Sequence, residues 1–325
     1  MGFVTLNEIQ AARQRIRAGA WRTPLLPYPG DARLWLKAEN LQPMGAFKIR
    51  GAYNAIASLS ADARARGVVA HSSGNHAQAV AYAARALGVK AVIVMPQNAP
   101  SIKRTKTQEY GAEVVTVGNA SSERAAKAEA LAAEFGLVPV PPFDDECVIA
   151  GQGTLGLEIL EDASDVDLVL VPVSGGGLIS GVAAALKLSQ RQRQRQPQIR
   201  VIGVEPEFAA DAQASFRQGR LVGFSAEQVA RTAADGLRVQ QLGAITWPHV
   251  QAYVDDIVTV SEAEIRAAMR ALALQAKLVA EPSGAVTTAA WLFHSQSLPS
   301  AQRVVAIISG GNVEPEALQA ILAST

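Results

Sequence analysis

A chain of 325 residues with 49 % hydrophobic and 18 % charged residues has a globular make-up and enough length for two core-bearing lobes. A formal net charge of +1 leaves no broad field to draw nucleic acid or an anionic membrane. The single cysteine, Cys147, excludes an intrachain disulfide and a cysteine metal cluster, and fits a reducing, cytoplasmic compartment.

The opening "MGFVTLNEIQAARQRIRAG" reads as an amphipathic helix capped by Thr5 or Asn7, not as a signal peptide. Next comes "QPMGAFKIRGAYNAI", which sets Lys48 between Phe47 and Ile49, after Gly45 and before Gly51. One reading is a surface helix with Lys48 and Arg50 in water. The other is a chemical lysine: partial desolvation favours the neutral amine, which can attack a carbonyl.

The run "GVVAHSS" predicts a strand that leads through Ser72, Ser73, Gly74, Asn75 and His76 into the helix "NHAQAVAYAARALG". Hydroxyls, an amide and backbone N–H groups at a helix start can hold a carboxylate. They can also serve only as a cap, and His76 is expected to pack or to hydrogen-bond. "KAVIVMP" and "AEVVTVG" predict further strands, with "SERAAKAEALAAEFG" as a helix. A Pro/Gly-rich crossing, "PPFDDECVIAGQGTLG", separates these from "DLVLVPV", "IRVIGVEP", "DDIVTVS" and "RVVAIIS". Runs apolar on both faces and alternating with helices indicate an α/β fold with parallel sheets covered on both sides. The grouping predicts a large domain of residues 1–60 and 145–325, a small inserted domain of residues 61–144, and a ligand cleft between them.

Residues 168–186 carry no charge, but Pro172, Gly175, Gly176, Gly177 and Gly181 break them into strand, loop and helix, so a membrane span is rejected. The loop Ser174-Gly175-Gly176-Gly177 before a helix N-terminus reads as a phosphate cradle; the other reading is a tight strand-to-helix turn needing positive φ, which takes fewer than three successive glycines. It lacks the Gly-Lys-Ser/Thr ending of a P-loop, and its third glycine falls one place late for a dinucleotide fingerprint, so a monophosphate is the simplest fit. "RQRQRQPQIR" reads as a solvated helix end and loop. In "GVEPEFAADAQ", Glu205 and Asp211 with a free carbonyl suit a hard cation or plain surface charge equally. "VVAIISGGN" ends a strand on Ser309.

An imine-forming lysine, a monophosphate loop and a carboxylate loop in one cleft point to pyridoxal 5'-phosphate. "GAFKIRGA", "SSGNHAQ", "VIAGQGT", "PVSGGGL" and "ISGGN" resemble the serine/threonine dehydratases of PLP fold type II, the tryptophan synthase β-like fold, with serine racemase as a relative. The resemblance runs from "RTPLL" at Arg22 to Asn312. It implies that Lys48 is the Schiff-base lysine and the base at Cα, with Phe47 near the ring. It places Asn75 on the ring hydroxyl, Ser174, Gly175, Gly176 and Gly177 on the phosphate, and Ser309 facing the pyridine nitrogen. Ser72, Ser73, Gly74 and His76 would line the substrate carboxylate, with Ser73 also on the opposite face of Cα, where a racemase needs its second base. Glu205, the Ala209 carbonyl and Asp211 match a Mg²⁺ or Ca²⁺ site.

The implied activity is loss of water from L-threonine or L-serine to a 2-oxo acid and ammonia, with racemisation as a side reaction, in a homodimer or homotetramer. Alternatives are a lyase for threo-3-hydroxyaspartate or a hydroxyectoine-derived amino acid, a cysteine-synthase-like β-replacement enzyme, and a non-catalytic binder of phosphorylated ligands. Two departures stand out: Ser174 where many relatives have glycine, and Pro141 where relatives often have histidine. With the chain ending at Thr325, a regulatory domain and isoleucine feedback are not expected.

Overall fold

The structure is a computed structural model that describes residues 2–72, 74–99, 101–119, 121–194 and 198–323. Ten strands form two sheets among these residues. In chain order they are β1 (Leu25–Pro27), β2 (Leu34–Ala38), β3 (Val68–His71), β4 (Ala91–Pro96) and β5 (Glu113–Val117). Then follow β6 (Val138–Pro139), β7 (Leu168–Pro172), β8 (Arg200–Pro206), β9 (Asp256–Val260) and β10 (Val304–Ile308). The large sheet runs β1-β2-β10-β7-β8-β9, parallel throughout except for β1 against β2. The small sheet runs β5-β4-β3-β6 and is wholly parallel.

All seven strands expected from apolar runs are present. The three others, β1, β2 and β6, carry weak patterns: β2 holds Lys37 next to its end, and β1 and β6 are very short. The apolar runs follow from double-sided burial. In β7, Val169 and Val171 enter one core with Val201, Ile257, Val305 and Ile307, while Leu168 and Leu170 enter the other with Ile202, Val204, Val304 and Ile308. Strand side chains alternate by face, so a strand covered on both sides must be apolar at every position. Each such fully buried side chain contributes roughly 1.5–3 kcal/mol.

The first helix, Leu6–Ile16, is capped by Thr5, whose Oγ accepts from Glu8 N while the Glu8 carboxylate accepts from Thr5 N. Among the described residues no helix is long and apolar enough to cross a membrane.

Three helices tie the two lobes together. The lysine helix, Lys48–Ala57, sends Ile49, Ala52, Tyr53 and Ile56 into the core beneath the small sheet, beside Val80 and Ala84 of helix Asn75–Ala86. It also crosses helix Glu146–Asp162 at glycines: a Cβ on Gly151 would lie 2.5 Å from Arg50 O, and one on Gly51 would lie 2.4 Å from Gln152 Nε2. Helix Glu146–Asp162 in turn crosses helix Gly177–Arg193, where a Cβ on Gly181 would meet Ile149 O at 2.3 Å. The glycines of "KIRGA", "AGQGT" and "ISG" are therefore contact glycines, and backbone lies on backbone at both crossings. This stack fixes the lysine helix relative to the helix that begins at the glycine loop.

Candidate active site

The lysine turn is laced to the end of β10. Gly45 adopts φ +81°, Ala46 bridges Gly310, Phe47 N donates to Ser309 O at 3.0 Å, and Gly311 N donates to Gly45 O at 2.9 Å. This turn delivers Lys48 into the cleft as the first residue of its helix. Its Nζ donates to Pro142 O at 2.6 Å and lies 5.2 Å from the centre of the Phe47 ring. No carboxylate pairs with it among the described residues, and burial pushes its pKa down to about 8. Arg50 differs: it is 1 % exposed and grips Glu39 and Glu158. The reading that puts Lys48 and Arg50 in water is wrong for Arg50, which is buried, while Lys48 is half-buried with its amine on a carbonyl.

β7 ends on Ser174–Gly177, and helix Gly177–Arg193 opens there. Gly176 has φ +92°, and a Cβ on Gly175 or Gly177 would press on Phe143 at 2.4 or 2.9 Å. Ser174 Oγ is buried with no hydrogen-bond partner. The loop therefore presents glycine backbone and one unused hydroxyl at the start of a 17-residue helix, which suits an anion.

Asn75 opens helix Asn75–Ala86, with its amide held at both ends. Its Nδ2 donates to Glu281 Oε1 at 2.5 Å, and its Oδ1 accepts from Asn312 Nδ2 at 2.9 Å. Asn312 Nδ2 also donates to Met44 O at 3.0 Å, so Asn75 is tied to the lysine turn. Ser309 is 3 % exposed, and its Oγ donates to Ser283 O at 3.2 Å. Hydrogen bonds thus tie Asn75 and Ser309 to the lysine turn, and Pro142 with its neighbour Phe143 joins Lys48 to the glycine loop.

On the carboxylate side, Ser72 N donates to Val94 O and Gly74 N donates to Ser72 Oγ at 3.2 Å. Ser73 lies outside the described residues. His76 is buried and its Nε2 lies 2.8 Å from Val140 O. Burial and then the nearby Lys48 charge push its pKa down to about 3, so the ring is neutral and packs as expected.

Glu205 and Asp211 come together one strand away from the glycine loop. Glu205 Oε1 and Oε2 accept from Ala212 N at 3.1 Å and Gln213 N at 2.7 Å. Both Asp211 oxygens are buried without a partner, and Ala209 is 1 % exposed. Burial pushes Asp211 up to about 7, and burial with the Asp211 charge raises Glu205 well above the carboxylate range. No group of three or more His, Cys, Asp or Glu stands ready to hold a metal among the described residues.

Sequence reasoning missed Glu281, Lys103 and the carbonyl of Pro142. Glu281 is 1 % exposed and precedes Pro282 at the start of helix Pro282–His294. Burial pushes it up to about 7, and its Oε2 has no partner. Lys103 ion-pairs with Asp235 from the other lobe; burial works against its charge, but Asp235 and Glu281 outweigh it and raise its pKa. An acid before a proline is a helix-start signal, but only the fold shows that it faces Asn75.

The residues present fit pyridoxal phosphate: a desolvated amine for the aldehyde, and a glycine cradle with a free hydroxyl for the phosphate. A model of the family described as "Pyridoxal-phosphate dependent enzyme" matches residues 16–310. The chain belongs to this pyridoxal-phosphate-dependent family. Among its relatives, the L-threonine ammonia-lyase of Thermotoga maritima is 45 % identical over 98 % of this chain and 78 % of its own length. The L-threo-3-hydroxyaspartate ammonia-lyase of Saccharomyces cerevisiae is 41 % identical over 95 % of this chain and 94 % of its own. The structure of maize serine racemase superposes with a TM-score of 0.91 at 38 % identity, covering 98 % of this chain and 97 % of that one. The fold is that of the fold type II pyridoxal-phosphate enzymes, as the motifs imply.

Proposed function

We propose that this protein removes water from a β-hydroxy amino acid, L-threonine or L-serine, and releases a 2-oxo acid and ammonia. The observation that carries this reading is the Lys48 amine: desolvated, unpaired by any described carboxylate, and joined through Pro142 and Phe143 to the glycine loop.

When bound, pyridoxal phosphate supplies an electron sink for the charge left at the substrate Cα. Lys48 Nζ, poised near neutrality by burial, takes the Cα proton. The hydroxide lost from the β-carbon would leave as water with the proton that Lys48 has taken, and the released enamine hydrolyses to the 2-oxo acid and ammonia. Ser174, Gly175, Gly176 and Gly177 hold the phosphate, and Phe47 flanks the lysine. Asn75 presents a fixed amide to the ring hydroxyl because Glu281 and Asn312 hold both its ends. Ser309 would face the ring nitrogen with a neutral hydroxyl, turned from Ser283 O toward the ring, so no protein carboxylate would hold a proton there. That makes a milder sink, which favours loss of a β-hydroxyl over chemistry needing a long-lived carbanion. Ser72 and Gly74 would wall the substrate carboxylate, with neutral His76 packed behind them on Val140 O. By the resemblance Ser73, which lies outside the described residues, would be the second base, and proton delivery by it would give a racemase side activity.

Mg²⁺ or Ca²⁺ at Glu205, Asp211 and the Ala209 carbonyl belongs to the same reading, supported by the two unpartnered Asp211 oxygens. A dicarboxylate such as 3-hydroxyaspartate is less well served. Lys103 Nζ stands 3.7 Å from where a Cβ on Gly74 would lie, but Asp235 already pairs with it.

The test is release of 2-oxo acid from L-threonine, L-serine and 3-hydroxyaspartate by the wild type and Lys48→Ala, with and without Mg²⁺. The wild type should turn over the first two, and Lys48→Ala should lose both turnover and the bound cofactor's visible colour. Full turnover by Lys48→Ala refutes the assignment, and 3-hydroxyaspartate as the preferred substrate replaces the threonine reading.

A further inference from the structure

The crossing between the lobes does more than connect them. Three consecutive residues, Pro142, Phe143 and Asp144, touch opposite ends of the cofactor site. Pro142 O accepts from Lys48 Nζ. The Phe143 ring fills the space over Gly175, and its Cα and Cβ crowd Gly177. Asp144 accepts three backbone N–H groups: Ala244 at 3.0 Å, Ile245 at 2.8 Å and Thr246 at 3.1 Å. Gly243 passes so close that a Cβ there would fall 2.1 Å from Asp144 Oδ1. The turn that Asp144 orders backs directly onto the glycine loop. Thr246, fully buried, donates its hydroxyl to Gly175 O at 2.7 Å, and Gly243 N donates to the Thr246 hydroxyl at 2.9 Å.

We infer that residues 142–144 are a spacer that fixes how far the Lys48 amine stands from the glycine loop, with Asp144 and Thr246 as positioning residues for the phosphate end. The inference rests on the reading that Ser174–Gly177 takes the cofactor phosphate. A peptide plane is rigid, and in its trans form the N–H points opposite to the C=O. Holding Gly175 O on Thr246 therefore turns that carbonyl away from an incoming anion and aims the Gly176 N–H the other way. Hydrogen bonds to a carboxylate are the stronger kind, and three of them from successive residues order the turn that supplies Thr246. The sequence gives this segment two prolines in a row, which narrows the backbone choices of a spacer.

The full chain, stripped of cofactor, is titrated with pyridoxal 5'-phosphate and, separately, with pyridoxal lacking the phosphate. The wild type should prefer the phosphorylated form. Asp144→Ala and Thr246→Val should each cut that preference by about tenfold or more through the phosphorylated ligand alone. Thr246→Ser, which keeps the hydroxyl, should restore it. An unchanged preference in both variants, or equal loss of both ligands, overturns the spacer inference and leaves the phosphate reading standing. A wild type that does not distinguish the two ligands overturns the phosphate reading itself. Should Asp144→Ala fail to fold, Thr246→Val and Thr246→Ser make the same measurement on a one-group deletion.

Discussion

Lys37 is fully buried and Lys48 half-buried, and their surroundings are opposite. Lys37, on β2, is fully buried, donates to Thr23 O at 2.7 Å and pairs with Glu158 at 2.8 Å and Asp162 at 3.4 Å. Arg50, two residues past Lys48 on the same helix, completes that cluster. Its Nε and Nη2 meet Glu39 at 2.8 Å, and its Nη1 meets Glu158 at 2.7 Å. Glu39 is held ionised: burial opposes its charge, and Arg50 and Lys37 outweigh that cost. Across the lysine helix the polar groups are left short instead. Lys48 has one carbonyl, Glu281 Oε2 and Ser174 Oγ have nothing, and both Asp211 oxygens are bare. A fold that pairs two basic and three acidic groups below the helix can pair its ions. The unmet Ser174 and Glu281 atoms beside Lys48 therefore mark where a cofactor would complete the site, and the bare Asp211 oxygens lie apart from them, one strand away.

The sharpest way to break this comparison is to treat the two sides alike. Arg50→Met strips Glu39 of its ion pair and leaves Glu158 with Lys37 alone, and should cost about 3–5 kcal/mol of stability in denaturant unfolding. Lys48→Met removes an uncompensated ammonium and should leave stability unchanged or higher near pH 7. If Lys48→Met destabilises as much as Arg50→Met, the paired and unpaired regions do not differ in kind.

A smaller effect is expected from filling the cradle. Gly175→Ala drives a methyl into the Phe143 ring. Overpacking of this sort costs about 1–3 kcal/mol. Cofactor affinity should fall roughly ten- to a hundredfold, with unfolding changed by no more than that energy. Unaltered cofactor binding in this variant would mean that the glycine loop is only a turn.

The mildest test concerns Glu281, pushed up to about 7 by burial. A carboxyl whose folded pKa is raised binds more protons folded than unfolded between about pH 4.5 and 7, so it makes stability fall as pH rises through that window. Glu281→Gln should flatten the slope by on the order of 1 kcal/mol per pH unit. Unfolding curves for wild type and variant at about pH 5 and about pH 7 check it. Identical slopes would show that Glu281 is ionised and satisfied, which places it with Glu39 on the paired side.

Much of this molecule is legible in its amino acids. The seven apolar runs are strands because a sheet buried on both faces has no position that tolerates water, and that requirement is written at every residue. The glycine loop, the lysine turn and the Asn75 helix start are legible too, since each is a local backbone feature with its own residue preferences. Other features are not local. Nothing in "LWLKAEN" says that Lys37 and Glu39 meet Arg50 and Glu158 instead of solvent. Nothing in "AEPSG" says that Glu281 faces Asn75. Ion pairing and burial depend on partners brought from distant parts of the chain, so the same charged side chain reads alike whether it ends in water or in a core. The sequence by itself determined the layers and the backbone corners. Only the tertiary structure decided which charges are answered and which are left waiting in the cleft.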